Sequence, residues 1–198
     1  MQEPWLQPFI DDIAGLGKKA VAYDIGANAG EWTRWLGGQF SHVLALEPDH
    51  RAYQALLSVR PKNCLALRAA AAGFSGAAEF FIRESSLQSS LLKDHPFGHG
   101  GSVTQSVSLL AMDLQRLHAA STEMFKTDEV NFIKIDIEGA EVEVLSAAIA
   151  GGVFSKAAWL IECHGTLDEV CRQLGRLGYS DLKAIKNADP NHAWVYAR

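Results

Sequence analysis

The chain has 198 residues, 48% of them hydrophobic and 21% charged, with a formal net charge of -5 and an isoelectric point near 5.8. That length suffices for one α/β domain with a full core, and the acidity argues against a general nucleic-acid-binding surface. Three scattered cysteines, Cys64, Cys163 and Cys171, make no disulfide framework and fit a reducing compartment.

The N-terminal residues alternate apolar and polar at helical spacing over 4–16, through Trp5, Phe9, Ile10, Ile13 and Leu16, and stop at Gly17. This predicts a helix within residues 1–18 that packs on a sheet. Pro4, Pro8, Asp11 and Asp12 interrupt the stretch and no basic residues precede it, so it does not read as a leader peptide. No apolar run reaches the length of a membrane span. The expected location is cytoplasmic, with no membrane partner and no nucleic-acid partner.

Strand and helix signals then alternate: strand 20–24, helix 29–37 closed by Gly37 and Gly38, strand 42–47, helix 49–59 ending before Pro61, strand 63–70 and strand 77–83. Residues 84–102 are polar and rich in serine and glycine. A loop of that length inside a compact domain is more often functional or mobile than structural. Its serines, Ser85, Ser86, Ser89 and Ser90, could line an acceptor site for a polar substrate but read first as an ordinary serine-rich loop, and its histidines, His95 and His99, read as solvated. Strand 103–110 returns antiparallel to 77–83. Helix 113–119, strand 130–136, helix 139–150, strand 157–162 and helix 167–177 follow. Two strands, 179–186 and 192–197, form a terminal antiparallel pair. Strands alternating with helices imply a mostly parallel sheet covered on both faces. The expected organisation is one domain over 1–198, with 84–102 as an insertion.

Tyr23-Asp24-Ile25-Gly26-Ala27-Asn28-Ala29-Gly30 is the first string that carries chemistry. An apolar strand ends in a carboxylate, and two glycines four apart allow a sharp turn and close approach of backbone to a ligand. Open α/β sheets bind small molecules there, beyond the carboxyl ends of the strands. A dinucleotide site shows G-x-G-x-x-G instead, with pyrophosphate on the helix N-terminus. A charge at Asp24 repels pyrophosphate and attracts a cation such as S-adenosylmethionine (SAM), which carries an ammonium and a sulfonium. Four acids fall at predicted carboxyl ends of strands: Asp24, Glu47, Asp136 and Glu162. Crowded carboxylates raise one another's pKa unless cations compensate, so a cationic cofactor, Lys134 or a metal ion is expected beside them. Glu47 sits where nucleotide-binding sheets place an acid on ribose hydroxyls, a placement common to NAD and SAM sites.

The second string is Ile133-Lys134-Ile135-Asp136-Ile137-Glu138-Gly139-Ala140-Glu141. Lys134 and Asp136 share a sheet face and form a pair, and Glu138, Glu141 and Glu143 fit the start of a helix. His164 lies two residues past Glu162 and is the first candidate for a general base. Asp136 is the second. Asp136, Glu162 and His164 also form an alternative divalent-metal trio, which is not favoured, and no C-x-x-C or H-E-x-x-H spacing points to zinc. Trp32 and Trp35 read as packing residues.

Together the two strings resemble the FkbM-type SAM-dependent methyltransferases. Leu46-Glu47-Pro48, Ala111-Met112-Asp113-Leu114 and Leu160-Ile161-Glu162-Cys163-His164 resemble further elements of that family, in the same order. The resemblance implies a class I methyltransferase (Rossmann-like) fold, SAM as the cofactor and O-methylation of a small-molecule or glycan acceptor with a free hydroxyl. It implies that Asp24, Gly26, Asn28 and Gly30 surround the methionine part of SAM, that Glu47 holds the ribose, that the backbone at Ala70 meets the adenine, and that Asp136 lies near the methyl group. The catalytic candidates are His164, Asp136 and Glu162. The rival readings are an NAD(P)-dependent oxidoreductase and a non-catalytic methyltransferase-like binding protein. Oligomeric state is left open.

Overall fold

The computed structural model describes residues 6–16, 21–94, 101–152, 154, 156–186 and 191–198. The chain runs α1 (Gln7–Ala14), β1 (Val21–Ile25), α2 (Glu31–Gln39), β2 (His42–Leu46), α3 (His50–Val59), β3 (Cys64–Leu67), β4 (Ala70–Ala71), β5 (Gly76–Arg83), β6 (Val103–Met112), α4 (Leu114–Phe125), β7 (Val130–Ile135), α5 (Glu141–Gly151), β8 (Ala158–His164), α6 (Leu167–Arg176), β9 (Leu182–Lys186) and β10 (His192–Ala197). Seven strands form the main sheet in the order β3-β2-β1-β7-β8-β10-β9. The first five are parallel, and β10 runs antiparallel to both β8 and β9. This is the expected α/β architecture with its terminal antiparallel pair. A second sheet, β4-β6-β5, stands beside it.

The alternation of side chains along each strand sorts the core into two layers. Tyr23, Ile25, Leu44, Leu46, Ile133, Ile135, Trp159 and Ile161 face one side, with Leu117 of α4, Val144 of α5 and Leu174 of α6. Ala22, Val43, Ala45, Phe132, Leu160, Trp194 and Tyr196 face the other, with Phe9 of α1, Leu36 of α2 and Leu56 of α3. Burial on both faces explains why β7 carries apolar residues on both sides, Phe132 on one and Val130, Ile133 and Ile135 on the other. From β1 the sheet grows one way to β2 and β3 and the other way to β7 and β8. The strand order therefore reverses between β1 and β7, which is where such sheets open a crevice.

Several elements depart from the sequence reading: α4, expected over 113–119, runs on to Phe125, and β9 begins at Leu182 rather than 179. Helix α2 does not stop at Gly37 but continues through both glycines to Gln39. Gly37 is small for another reason: a Cβ there would lie 2.3 Å from Cγ of Pro61, so the residue admits the α3–β3 connection. The expected strand 63–70 is broken after Leu67, and Ala70–Ala71 leaves the main sheet to pair with β6. Strand β8 runs past Glu162 to include His164. Within the insertion, a short 3-10 turn over Ser86–Gln88 and a bridge between Phe81 and Ser90 give the first half a defined path. Trp5, Gly17, His95 and His99 lie outside the described residues. Among those described, no helix is long and apolar enough to cross a membrane.

The far end of α2 is closed by one side chain. Asn63 Nδ2 donates to the carbonyls of Gly37 at 3.1 Å, Phe40 at 2.9 Å and Ser41 at 3.2 Å, which satisfies acceptors that a helix end leaves open. Replacing Asn63 by Ala should lower the unfolding free energy by about 1–3 kcal/mol in urea denaturation. A change below about 0.5 kcal/mol would show that the cap contributes nothing.

Candidate active site

The turn after β1 is shaped by what cannot fit. Gly26 has φ +78°, and a Cβ on it would lie 1.7 Å from the Asp136 carbonyl oxygen. The backbone of β1 and β7 therefore meet at van der Waals limits, and only glycine allows it. The turn is fastened by the Gly26 and Ala27 amides donating to the Leu46 carbonyl at 3.0 and 2.8 Å. Asn28 also takes a positive φ, +46°. Gly30, at φ +86°, opens α2 and lies against Leu56.

Lys134 joins the two halves of the site. Its side chain is buried, donates to the Gly26 carbonyl at 2.8 Å, and lies 3.4 Å from Asp24 Oδ1 and 3.2 Å from Asp136 Oδ2. Burial pulls its pKa down, but the charges of Asp136 and Asp24 outweigh this and lift it above the ordinary lysine value. Asp24 is fully buried and also accepts from Thr33 Oγ1 of α2 at 2.5 Å.

Above the carboxyl ends of β1, β2, β7 and β8 lies a cavity of about 570 Å³. One end is walled by Gly26, Asn28, Glu47 and the alanines 69–71; the other by Asp136, Glu138, Glu162, His164 and His192, with Trp32 and Trp194 beside them. Phe80, Ser86, Ser89 and Leu91 add a further wall from the side sheet and the insertion. The volume lies in the range of small-molecule sites.

The two ends differ in chemistry. Glu47 accepts from the backbone amides of Asn28 and Asp49, each at 2.8 Å. Burial nevertheless pushes its carboxyl up to about 7. At the other end, burial and the negative charge of Asp136 raise the Glu162 carboxyl. Burial works on Asp136 in the same direction, but the Lys134 ammonium and His164 hold it below the usual carboxylate range. The two neighbouring acids are thus driven in opposite directions, Glu162 toward its protonated form and Asp136 toward its ionised one. His164 Nδ1 is 2.8 Å from Glu141 Oε1, and Nε2 is 3.4 Å from Glu138 Oε1. Burial lowers its pKa, yet the hydrogen bonds to the two glutamates outweigh it and take the ring up to about 11. Glu141 is itself fully buried and also accepts from the Gly139 amide at 2.8 Å and Thr166 Oγ1 at 3.1 Å.

Of the residues singled out in the sequence, Gly26, Asn28, Glu47, Ala70, Asp136, Glu162 and His164 line the cavity, whereas Asp24 and Gly30 lie beneath it. Asp24 points toward α2 and Lys134, so it supports the turn from below. Trp32 packs on Trp35 and Trp194, with ring centroids 5.7 and 6.3 Å apart, and lines the cavity as well. Ser86 and Ser89, read first as ordinary loop serines, are part of the wall. The metal trio Asp136, Glu162 and His164 resolves into two overlapping groups, Asp136 with Glu138 and His164, and Glu162 with His164 and His192; the ligand atoms of each lie within 4.8 Å of one another. His192 and Trp194 were not anticipated. They enter through the register of β10 on β8, for which the sequence carries no local signal. Glu141 could have been found: an acid at a helix start two residues after glycine can turn back onto that glycine's amide.

The methyltransferase FkbM domain family matches residues 24–185, and the chain belongs to this family. The family is one of methyltransferases. Among solved structures, the FkbM methyltransferase of Methylobacillus flagellatus superposes with a TM-score of 0.60 at 18% identity, over 92% of this chain and 44% of that one. The present chain therefore spans less than half of that protein. Sp1610 of Streptococcus pneumoniae, solved in complex with SAM, has a TM-score of 0.50 at 12% identity over 96% and 70% of the two chains. An rRNA methylase of Streptococcus thermophilus has a TM-score of 0.52 at 10% identity over 100% and 97%. At these identities the likeness is one of fold. No curated protein matches the chain in sequence.

The position of Glu47 has a thermodynamic consequence. Its carboxyl binds a proton more tightly folded, at about 7, than at its ordinary 4.5. Stabilisation from this group is complete below the ordinary value and is lost as the pH rises through the folded one. Wild type should therefore lose stability relative to Glu47→Gln between about pH 5 and pH 8, by an amount on the order of 3 kcal/mol. Urea denaturation of both proteins across that range measures the difference, and parallel profiles would remove Glu47 as its source.

Proposed function

We propose that this chain transfers a methyl group from SAM to a hydroxyl of a small polar acceptor, a sugar or a natural-product scaffold. The observation that carries the reading is the layout of the cavity: one buried acid beside small alanines at one end, and a cluster of acids and histidines at the other. A ligand with adenosine hydroxyls and two cationic centres suits that layout, and the tight turn at Gly26 brings the backbone close to it. The donor supplies an electrophilic methyl carbon on a sulfonium.

In this reading Glu47 accepts from the ribose hydroxyls. The Asn28 and Asp49 amides already fix the orientation of its carboxylate. Ala70, with Ala69 and Ala71, leaves room for a flat base. Gly26 and Asn28 hold the methionine part. Asp24 and Gly30 serve from beneath, the first through Lys134 and Thr33 and the second by opening α2. Asp136 is the carboxylate placed to take the acceptor's proton, because Lys134 orients it while part of its side chain, 28%, stays exposed to the cavity. Glu162 and His164 bind and orient the acceptor. Trp32 and Trp194 offer apolar faces to a sugar ring.

A net charge of -5 favours such an acceptor over a polyanion. A cytoplasmic setting belongs to the same reading, supported by three free cysteines.

Incubation with labelled SAM, a panel of hydroxylated sugars and natural products, and tRNA and rRNA in parallel tests this reading. Label should pass to a small acceptor. Asp136→Asn should lower kcat by roughly 10²- to 10⁴-fold while the dissociation constant for SAM moves by less than about tenfold. Label on RNA alone would overturn the acceptor, and a melting shift with NAD but not with SAM would overturn the donor.

A further inference from the structure

We infer that Glu162, His164 and His192 form a binding site for a first-row divalent metal ion at the acceptor end of the cavity. The argument begins with register. Glu162 and His164 are two apart on β8 and so project from the same face of the sheet. His192 of β10 is the direct antiparallel partner of His164. A backbone ladder, not a loop, thus brings two imidazoles and a carboxylate together.

The distances suit a common ligand. The donor atoms of the three residues lie within 4.8 Å of one another, with His192 Nδ1 3.9 Å from Glu162 Oε1. Metal bonds of about 2.0–2.2 Å around a tetrahedral ion set neighbouring ligands about 3.3–3.6 Å apart, so the three side chains must draw together by up to roughly 1.5 Å to close the set. The two imidazole rings meet edge to face, with centroids 4.9 Å apart.

The surroundings of His164 follow the pattern of a metal ligand. Its Nδ1 is held by Glu141, a fully buried carboxylate that is fixed in turn by the Gly139 amide and Thr166. Ligating histidines characteristically give their second ring nitrogen to such a carboxylate, which sets the tautomer and aims the other nitrogen at the ion. Here Nε2 faces Glu138 and the cavity, and an ion binding there displaces the proton that the two glutamates otherwise hold on the ring. Glu138 and Asp136 lie close enough to His164 to supply further oxygens. Two imidazoles and a carboxylate suit zinc, iron, cobalt or nickel better than magnesium or calcium, which take oxygen ligands.

Binding of the ion stands by itself. Its use rests on the methyl-transfer reading: an ion there would take the acceptor hydroxyl as a ligand and lower its pKa.

Titration of the full chain with Co²⁺ alone, followed by visible absorption, tests the site. One saturable equivalent is expected, displaced by Zn²⁺. His192→Ala and Glu162→Gln should each weaken Co²⁺ binding by at least about tenfold, and Glu141→Gln by roughly 10- to 100-fold. His42→Ala, which alters a ring stacked on Phe125 away from the cavity, should leave it unchanged. Absence of a saturable signal overturns the inference, as does wild-type affinity in both His192→Ala and Glu162→Gln. SAM binding measured by calorimetry on the same samples separates the two readings. A protein that binds Co²⁺ at these residues but not SAM keeps the metal site and loses the methyl-transfer assignment; SAM binding without Co²⁺ does the reverse.

Discussion

The site is organised around a single buried ammonium. Lys134 lies in the middle of the sheet's carboxyl edge and touches both sides of the point where strand order reverses: Asp24 and the Gly26 carbonyl from β1 and its turn, and Asp136 from the end of β7. A buried charge is tolerable only when paired and hydrogen-bonded, so the two carboxylates and the carbonyl are required by the lysine as much as it is by them. This mutual requirement holds the Gly26 turn against the Asp136 backbone. There the two chains approach so closely that one methyl group would not fit. The geometry of the cavity floor is thus set by electrostatics acting through a steric limit.

The acids differ in how closely they meet this lysine. Asp24 and Asp136 lie within ion-pair distance of it, while burial and the charge of Asp136 drive Glu162 toward its neutral form. Glu47, at the other end, relies on two backbone amides. An edge bearing several carboxylates would otherwise destabilise the fold by mutual repulsion. The buried ammonium and the fixed amide dipoles offset part of that repulsion.

Much of this was legible in the sequence because it depends on local spacing. The strand-turn-helix at Asp24 to Gly30, the acid after β2, and Lys134 with Asp136 on one face all follow from a period of two and from glycine placement. Two kinds of information were not. Asp24 reads as a ligand contact, yet its side chain turns toward Thr33, because which face of a doubly covered strand meets the crevice depends on how the turn leaves the sheet. His192 and Trp194 reach the site only through pairing of β10 with β8, and the choice of which terminal strand lies inside is a tertiary matter. The break of the expected strand 63–70 is similar. A run of alanines has weak preference of its own, so β4 follows the partner offered by β6.

The insertion shows how the two ends of the cavity are mechanically joined. Arg83, itself buried, donates to the carbonyls of Leu92, Lys93 and Gly101, gathering the middle and the far end of the segment at the tip of β5. Ser89 Oγ reaches Asp49 Oδ2 at 3.4 Å, two residues from the acid proposed for ribose. Ser90 Oγ donates to the Glu138 carbonyl at 2.8 Å, and Glu138 is a non-glycine residue held at φ +57°. Such a conformation persists only where neighbours enforce it, and Ser90 is pinned in turn by its bridge to Phe81. Adjacent serines thus tie the turn after β2 to the turn after β7. Any movement of the segment must therefore break or carry along its contacts to both turns.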